Sequence, residues 1–600
     1  MTPRPDNPLI VQSDRTLMLH TVTSVTDAAG KPLRDQDGRP RMAEHPLFAA
    51  ARDALAVFAE LEKSPDFLHT YRLTSISVWN AAALGHTAEM IEEVLEEYAA
   101  FPVPPNVIDE VRAWIERYGC LRIERRGERF ELVADDPAHL RDILGFEALR
   151  RMLEVEPARP GDGRDDVVGD GVGDAPRVWL KEFTRGSLKQ ALIRIGYPVD
   201  DRGGYVEGDA LDIRLRSETL AGEPFGLRAY QSAAADAFHA GGSVLGGSGL
   251  VVLPCGAGKT VVGMAVMERV ACKTLILTTN TVAVRQWREE LLDKTCLTAD
   301  QVGEYTGDSK NICPVTITTY QMVTWRRTKA SEFEHMAIFS SENWGLVIYD
   351  EVHLLPAPVF RVTADLQARR RLGLTATLVR EDGKEDEVFC LIGPKRFDVP
   401  WKVLEHQGFI ASASCVEVRV PMADELRDTY ASAGARGKFR VASENPAKTA
   451  VVEHLIALHP EGRILIIGQY VDQLHELARH LKAPLITGKT PNAEREELYE
   501  AFRSGAERIL IVSKVGNFAI DLPDANIAIQ ISGTFGSRQE EAQRLGRILR
   551  PKADGRGAMF YSVVTLGSRD QEFAEKRQLF LTEQGYAYRI VEAEALPIPC

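Results

Sequence analysis

The stretch 251–263, VVLPCGAGKTVVG, runs from an apolar segment through a glycine turn into Lys259-Thr260, residue types suited to holding a chain of phosphates. Backbone N–H groups of Gly256, Ala257 and Gly258 can wrap phosphates at the start of a helix, where the helix dipole also favours negative charge. Lys259 is then placed to neutralise the β- and γ-phosphates, and the Thr260 hydroxyl to ligate Mg²⁺. The turn departs from the G-x-x-x-x-G-K-T pattern at its first position, where Leu253 stands in place of glycine. Cys255 lies inside the turn with no base beside it in sequence, and reads as a small loop residue rather than a nucleophile.

A second group lies downstream, where the apolar run GLVIYD ends in Asp350-Glu351-Val352-His353. In a parallel sheet the active site lies beyond the carboxyl ends of the strands, so these acids face the phosphate turn. Asp350 suits the Mg²⁺ shell, and Glu351 suits orienting and deprotonating an attacking water. A guanine-reading N-K-x-D is absent, which removes the GTPases. A third group, in GSRQEEAQRLGRILRP, puts Gln543, Arg547 and Arg550 at i, i+4 and i+7, on one face of a helix. Arginines presented in this way to a γ-phosphate stabilise the charge that develops during phosphoryl transfer. The bland alternative is a basic surface helix.

These groups need strands and crossover helices to hold them, and the sequence supplies two sets. From residue 249 the runs GLVVLP, TLILTT, PVTITT and GLVIYD alternate with helix-length stretches, and the pattern recurs with RILIIG, RILIVS, NIAIQI and AMFYSV. The expected fold class is α/β: two tandem RecA-like parallel-sheet motor domains, preceded by a mainly helical N-terminal region. The expected boundaries are an N-terminal accessory domain over 1–156, an acidic Gly/Asp-rich linker over 157–177 and a lead-in over 178–224. A first motor domain over 225–400 and a second over 401–600 follow. In the N-terminal region HPLFAAARDALAVFAELEKS and PPNVIDEVRAWIERYG show helical apolar spacing.

The 600-residue chain is 44% hydrophobic and 26% charged, as globular proteins are, and contains no apolar run long enough for a membrane span. No secretory signal is expected, and the location read from this is cytoplasmic and nucleoid-associated. Eight cysteines without a C-x-x-C pair argue against a zinc site or a disulfide framework. The net charge of −14 excludes a simple nucleic-acid coat but not a motor with a basic groove. Arg369-Arg370-Arg371 and the Arg544–Arg556 region could line such a groove, though the first is equally a solvated turn.

Taken together, PCGAGKT, DEVH, LGLTAT and QRLGRILR resemble a superfamily 2 helicase. LRAYQ, LGLTATLVRED, SKVGNFAIDLPDANIAIQIS and EFAEKRQLFLTEQGYAY narrow the resemblance to the XPB (xeroderma pigmentosum group B) repair-helicase family in its prokaryotic form. It covers roughly residues 180–590, and PLIVQSD and YRLTSISVWNA extend it more weakly to the N-terminus. The resemblance implies an ATP-dependent 3′-to-5′ DNA helicase or translocase acting in DNA repair. ATP and Mg²⁺ would be its cofactors, and single-stranded, forked or duplex DNA its substrate, with a nuclease or other repair partner. It also implies that Gln231 reads the adenine edge, that Asp521 lies near the ribose or in a domain-closing network, and that Arg380-Glu381-Asp382 couples DNA binding to unwinding. A charged loop is the equal alternative for that last motif. Ala229 departs from the family's proline before the glutamine. Residues 421–446 occupy the place of a thumb-like insertion, read as a helix pair with a basic tip or as an amphipathic bracket.

A translocating motor holds its strand mainly by phosphates. Candidates after strands are Thr279-Asn280, Thr306-Gly307 and Thr318-Thr319 in the first domain and Ser513-Lys514 with Gly516 in the second, each also readable as a helix cap. Thr375 and Thr377 are the candidates for linking nucleotide state to strand movement, or else a capped turn. Two other functions stay open: a double-stranded DNA translocase that separates no strands, and an ATP-switched scaffold that recruits a repair partner.

Overall fold

The structure is a computed structural model that describes residues 4–27, 33–34, 40–63, 67–127, 129–154, 176–181, 184–203, 207–242, 246–254, 256–328, 333–339, 341–355, 370–376, 388, 392–513, 525–533, 557–583, 586 and 588–596. It divides into two compact units, one made mainly of the chain up to Asp398 and the other mainly of Val399–Cys600.

Each unit contains one seven-stranded sheet. Strands such as Thr274–Thr278 (TLILT) and Val315–Thr319 (VTITT) are buried at every residue, so both faces of the sheet must be covered, and crossover helices cover them. In sheet order the first unit runs Val302–Tyr305, Val315–Thr319, Thr274–Thr278, Leu346–Asp350, Arg370–Thr375, Ser248–Val252, Lys395–Asp398, with every pairing parallel. The second runs Leu485–Ile486, Ile509–Val512, Ile464–Ile467, Ile527–Gln530, Ala558–Thr565, Ala413–Val420, Tyr588–Glu592, again all parallel. The winding is the same in both. The first strand in sequence takes the sixth place, the second the third, and the rest follow into places one, two, four, five and seven.

The N-terminal region holds the helices Phe48–Leu55 and Pro105–Arg117 within the two segments where periodicity suggests them, with Ser75–Ala83 and Ala88–Tyr98 besides, but it also holds sheets that periodicity did not single out. The expected helix from residue 45 stops at Leu55. Glu60–Lys63 pairs instead with Leu68–Arg72, in a four-stranded antiparallel sheet with Leu9–Val11 and Thr16–His20. A second, five-stranded sheet is ordered Val199–Asp201, Leu121–Arg126, Arg129–Ala134, Arg177–Leu180, Leu153–Glu154. Arg177–Leu180 therefore lies between strands that precede residue 156, and Val178, Leu180, Leu188 and Leu192 share one core with Leu121 and Ile143. The expected boundary between an accessory domain and a lead-in runs through this single sheet. Most of the expected linker lies outside the described residues.

The segment 421–446 contains the helices Arg427–Ser432 and Ala435–Ser443. Phe439, fully buried edge-on to Phe573 with ring centroids 5.1 Å apart, fastens the pair to its own unit, while Arg436 and Arg440 lie on the exposed side.

Candidate active site

Because all seven strands are parallel, their carboxyl ends share one edge, and in the first unit that edge divides in two. Strands in places four, five and six end in Asp350, in Thr375 and in the phosphate turn. Register sets Asp350 opposite Leu374 and Val252 opposite Thr375, so the acid and the start of the turn are level and two strands apart, about 10 Å. Strands in places one, two and three end in Thr306-Gly307, Thr319 and Thr279-Asn280.

In the turn, Gly256 (φ 82°) and Gly258 (φ 79°) adopt left-handed backbone that side chains disfavour. The Ala257 N–H donates to the Pro254 carbonyl at 3.2 Å, so one of the three amides expected to face phosphate also closes the turn. Leu253 keeps an ordinary φ with its side chain wholly buried, which is why the missing glycine is tolerated there. Lys259 opens the helix Lys259–Val270 and Thr260 follows it.

Asp350 is held at both its side chain and its backbone. The indole N–H of Trp287 donates to Oδ2 at 2.9 Å, and the Tyr320 hydroxyl donates to the Asp350 carbonyl at 2.9 Å. Glu351 has φ 50° and ψ 53°, left-handed for a residue with a side chain, a strain of the kind that concentrates at working sites. His353, nearly buried, shares a hydrogen bond with the Thr375 hydroxyl at 2.8 Å and lies 3.5 Å from Glu351 Oε2. Thr375 is thereby joined to the acidic motif. Trp287 and Tyr320 escaped the sequence reading because an aromatic residue on the apolar stripe of a helix looks like ordinary core.

Gln231 sits on the first turn of Ala229–His239 and is buried, and its Oε1 accepts from the Arg228 N–H at 2.9 Å. Ala229 opens this helix from an extended Arg228, so proline is not needed there. Among the strand-contact candidates, Asn280 caps Thr281–Lys294 by accepting from the Ala283 N–H at 3.0 Å and donates to the Thr279 hydroxyl at 3.3 Å. Thr319 caps Tyr320–Val323 by accepting from the Met322 N–H at 3.0 Å. The Thr306 hydroxyl accepts from the N–H groups of Asp308 and Ser309 around an open Gly307. Thr318 differs from these. It is wholly buried and its hydroxyl donates to the Tyr305 carbonyl at 2.7 Å, so it is an internal strut rather than a surface group. Ser513 is buried at the end of Ile509–Val512, its N–H bonded to the Ile486 carbonyl at 2.9 Å. Thr377, Arg380, Glu381, Asp382, Lys514, Gly516, Asp521, Gln543, Arg547 and Arg550 lie outside the described residues.

A nucleotide with Mg²⁺ fits this donor set: a glycine cradle, a lysine and a hydroxyl at a helix start, and a carboxylate at a strand end two strands away. Among the described residues no group of three His, Cys, Asp or Glu side chains could hold a metal alone. Mg²⁺ takes one or two protein oxygens and completes its shell with phosphate and water.

Two tandem parallel-sheet domains of identical winding, one equipped with a phosphate turn and an Asp-Glu strand end, define a nucleotide-driven motor of the helicase class. Residues 224–380 match the family of the type III restriction enzyme res subunit, 404–596 the ERCC3/RAD25/XPB C-terminal helicase, and 36–156 a helicase conserved C-terminal domain. The chain is 50% identical to the DNA 3′-5′ helicase XPB of Mycobacterium tuberculosis, over 98% of this chain and 99% of the relative. To the protein of the same name from Kineococcus radiotolerans it is 50% identical, over 98% and 97%. Identity is 32%, over 91% of this chain and 74% of the relative, to the general transcription and DNA repair factor IIH helicase/translocase subunit XPB of Schizosaccharomyces pombe. The chain belongs to the XPB helicase family.

Proposed function

We propose that this chain is an ATP-dependent 3′-5′ DNA helicase or translocase that serves DNA repair in the cytoplasm, at the nucleoid. The observation that carries the reading is the division of the first sheet's carboxyl edge, with phosphate-turn and acidic groups on one half and capped hydroxyl turns on the other. The near full-length likeness to proteins named DNA 3′-5′ helicase supplies substrate and polarity.

In this reading Gly256, Ala257, Gly258 and Lys259 hold the triphosphate, and Gln231 recognises adenine. Thr260 and Asp350 would hold Mg²⁺, which when bound supplies positive charge that offsets the charge of the transferring phosphoryl group. Glu351 takes a proton from the attacking water. Gln543, Arg547 and Arg550 answer the charge on the γ-phosphate, and Asp521 belongs to the ribose or closing network. Thr279, Asn280, Thr306, Gly307 and Thr319 contact the strand's phosphates, joined by Ser513, Lys514 and Gly516. Thr375, Thr377, Arg380, Glu381 and Asp382 couple the two activities, and a nuclease or other repair protein is the expected partner.

The test is strand displacement on duplexes tailed at the 3′ or the 5′ end. Displacement from the 3′ tail alone, lost in Lys259→Ala, is expected. DNA-stimulated hydrolysis without displacement would replace helicase by double-strand translocase; the name of the fission-yeast relative carries both words, helicase and translocase.

A further inference from the structure

Two holds on Asp350, from Trp287 and Tyr320, come from the half of the sheet edge that carries the strand-contact candidates. Trp287 lies seven residues after the cap Asn280, on Thr281–Lys294, and gives its indole N–H to the carboxylate. Tyr320 follows the cap Thr319 directly and gives its hydroxyl to the Asp350 carbonyl. Asn280 and Thr319 thus each start a helix, and each of those helices sends one aromatic donor to the same acid.

The surroundings leave little slack. Trp287 is 2% exposed, and a Cβ added at Gly263 would come within 2.5 Å of its ring, so the indole is lodged against the helix that follows the phosphate turn. Tyr320 is likewise buried, with its hydroxyl 2.9 Å from the Asp350 carbonyl. Hydrogen bonds weaken steeply with angle, so a small rotation of either helix changes the hold on Asp350. The seven residues of helix from Asn280 to Trp287 span about 10 Å.

We propose that Trp287 and Tyr320 are positioning residues through which bound polynucleotide sets the placement of Asp350. Phosphates held at Thr279-Asn280 and Thr319 seat the two helix starts, and the indole and phenol hydrogen bonds carry that seating to the carboxylate and to the strand end. The inference rests on the DNA-motor reading above and adds the route by which DNA stimulates hydrolysis.

The experiment measures steady-state ATP hydrolysis of the full chain with and without single-stranded DNA, across a Mg²⁺ titration, alongside thermal melting. Trp287→Phe keeps an aromatic ring and removes the donor; Tyr320→Phe removes one hydroxyl; Gly263→Ala crowds the indole without touching either bond. For Trp287→Phe the ratio of DNA-stimulated to unstimulated rate should fall on the order of tenfold, as for one hydrogen bond to a charged group, with a higher Mg²⁺ requirement. Tyr320→Phe should lower the ratio by about threefold to fivefold, as for a neutral acceptor. Gly263→Ala should change the ratio in the same direction. A merely structural role would lower both rates in proportion and leave ratio and Mg²⁺ requirement alone, and that result overturns the proposal. Should Trp287→Phe fail to fold, the other two variants decide it. An unsubstituted chain that DNA does not stimulate would sink the motor reading first and this inference with it, whereas unchanged ratios in the variants of a DNA-stimulated chain would sink this inference alone.

Discussion

The two seven-stranded sheets share one winding and differ in what their strand ends carry. After the sixth-place strand of the first sheet comes a short glycine turn, with Lys259 at the head of a helix. After the sixth-place strand of the second comes the helix pair of 427–443, and only then the topologically equivalent helix, Ala447–Leu458. That helix too has a lysine in its first turn, Lys448. It is fully buried, with its ammonium 2.7 Å from Asp570 Oδ2 and 2.9 Å from the Ile531 carbonyl. Burial holds its pKa below the usual lysine range, against the opposing pull of Asp570. Where the first sheet ends its fourth strand in Asp350, the second ends in the buried amide Gln530. One scaffold therefore appears twice, once with its lysine at the head of a helix after a glycine turn and once with its lysine buried against the chain's own Asp570. Function lives in the strand ends, and the sheet itself is neutral about it.

Substitution of the two lysines separates the cases most widely. Lys259→Ala should lower ATP turnover by at least about 10²–10³-fold, the scale of removing one preorganised charge-stabilising group, with little change in melting. Lys448→Ala should instead lower unfolding stability by about 3–5 kcal/mol, because Asp570 is left buried without its partner. Turnover per folded molecule should stay in place. Chemical denaturation alongside hydrolysis assays checks both, and a Lys448→Ala protein that is stable but inactive would break the comparison.

Glu351→Gln should cost about 10²–10⁴-fold in turnover while nucleotide binding, followed by fluorescent ATP, persists. Weaker binding with normal turnover would remove the general-base role. The double substitution Lys448→Met with Asp570→Leu should return stability to within about 1 kcal/mol of the unsubstituted chain, since a buried pair replaced by apolar side chains is often neutral. The smallest effect is expected for Asn280→Ala, about 1 kcal/mol for a lost helix cap, together with weaker DNA affinity. Thr318→Ala should leave DNA affinity unchanged, because that hydroxyl faces the sheet interior.

The motor sheets were legible because a strand buried on both faces must be apolar throughout, and a run such as TLILT can be little else. The places of the glycine turn before Lys259 and of Asp350-Glu351 at a strand end were legible for a related reason: a glycine pair or an acid pair next to an apolar run marks where the strand stops. The N-terminal sheets were not legible, since strands of three to six residues such as Leu9–Val11 and Leu121–Arg126 carry too little period to outweigh neighbouring helical spacing. The five-stranded sheet was harder still, because Arg177–Leu180 pairs back across the Gly/Asp-rich stretch to Arg129–Ala134. Trp287, Tyr320 and the Lys448–Asp570 pair are long-range matters: their types are ordinary for a core, and only folding brings each to its partner.

The proposed coupling of nucleotide chemistry to a bound strand lies along the first sheet's edge. Its most direct test is the steady-state ATP hydrolysis rate of the purified chain without nucleic acid and with single-stranded DNA, duplex DNA or RNA, all in one low-salt buffer. Strong stimulation by DNA over RNA, abolished in Lys259→Ala, is expected. A rate indifferent to every nucleic acid would contradict it and leave a nucleotide-switched scaffold as the better description.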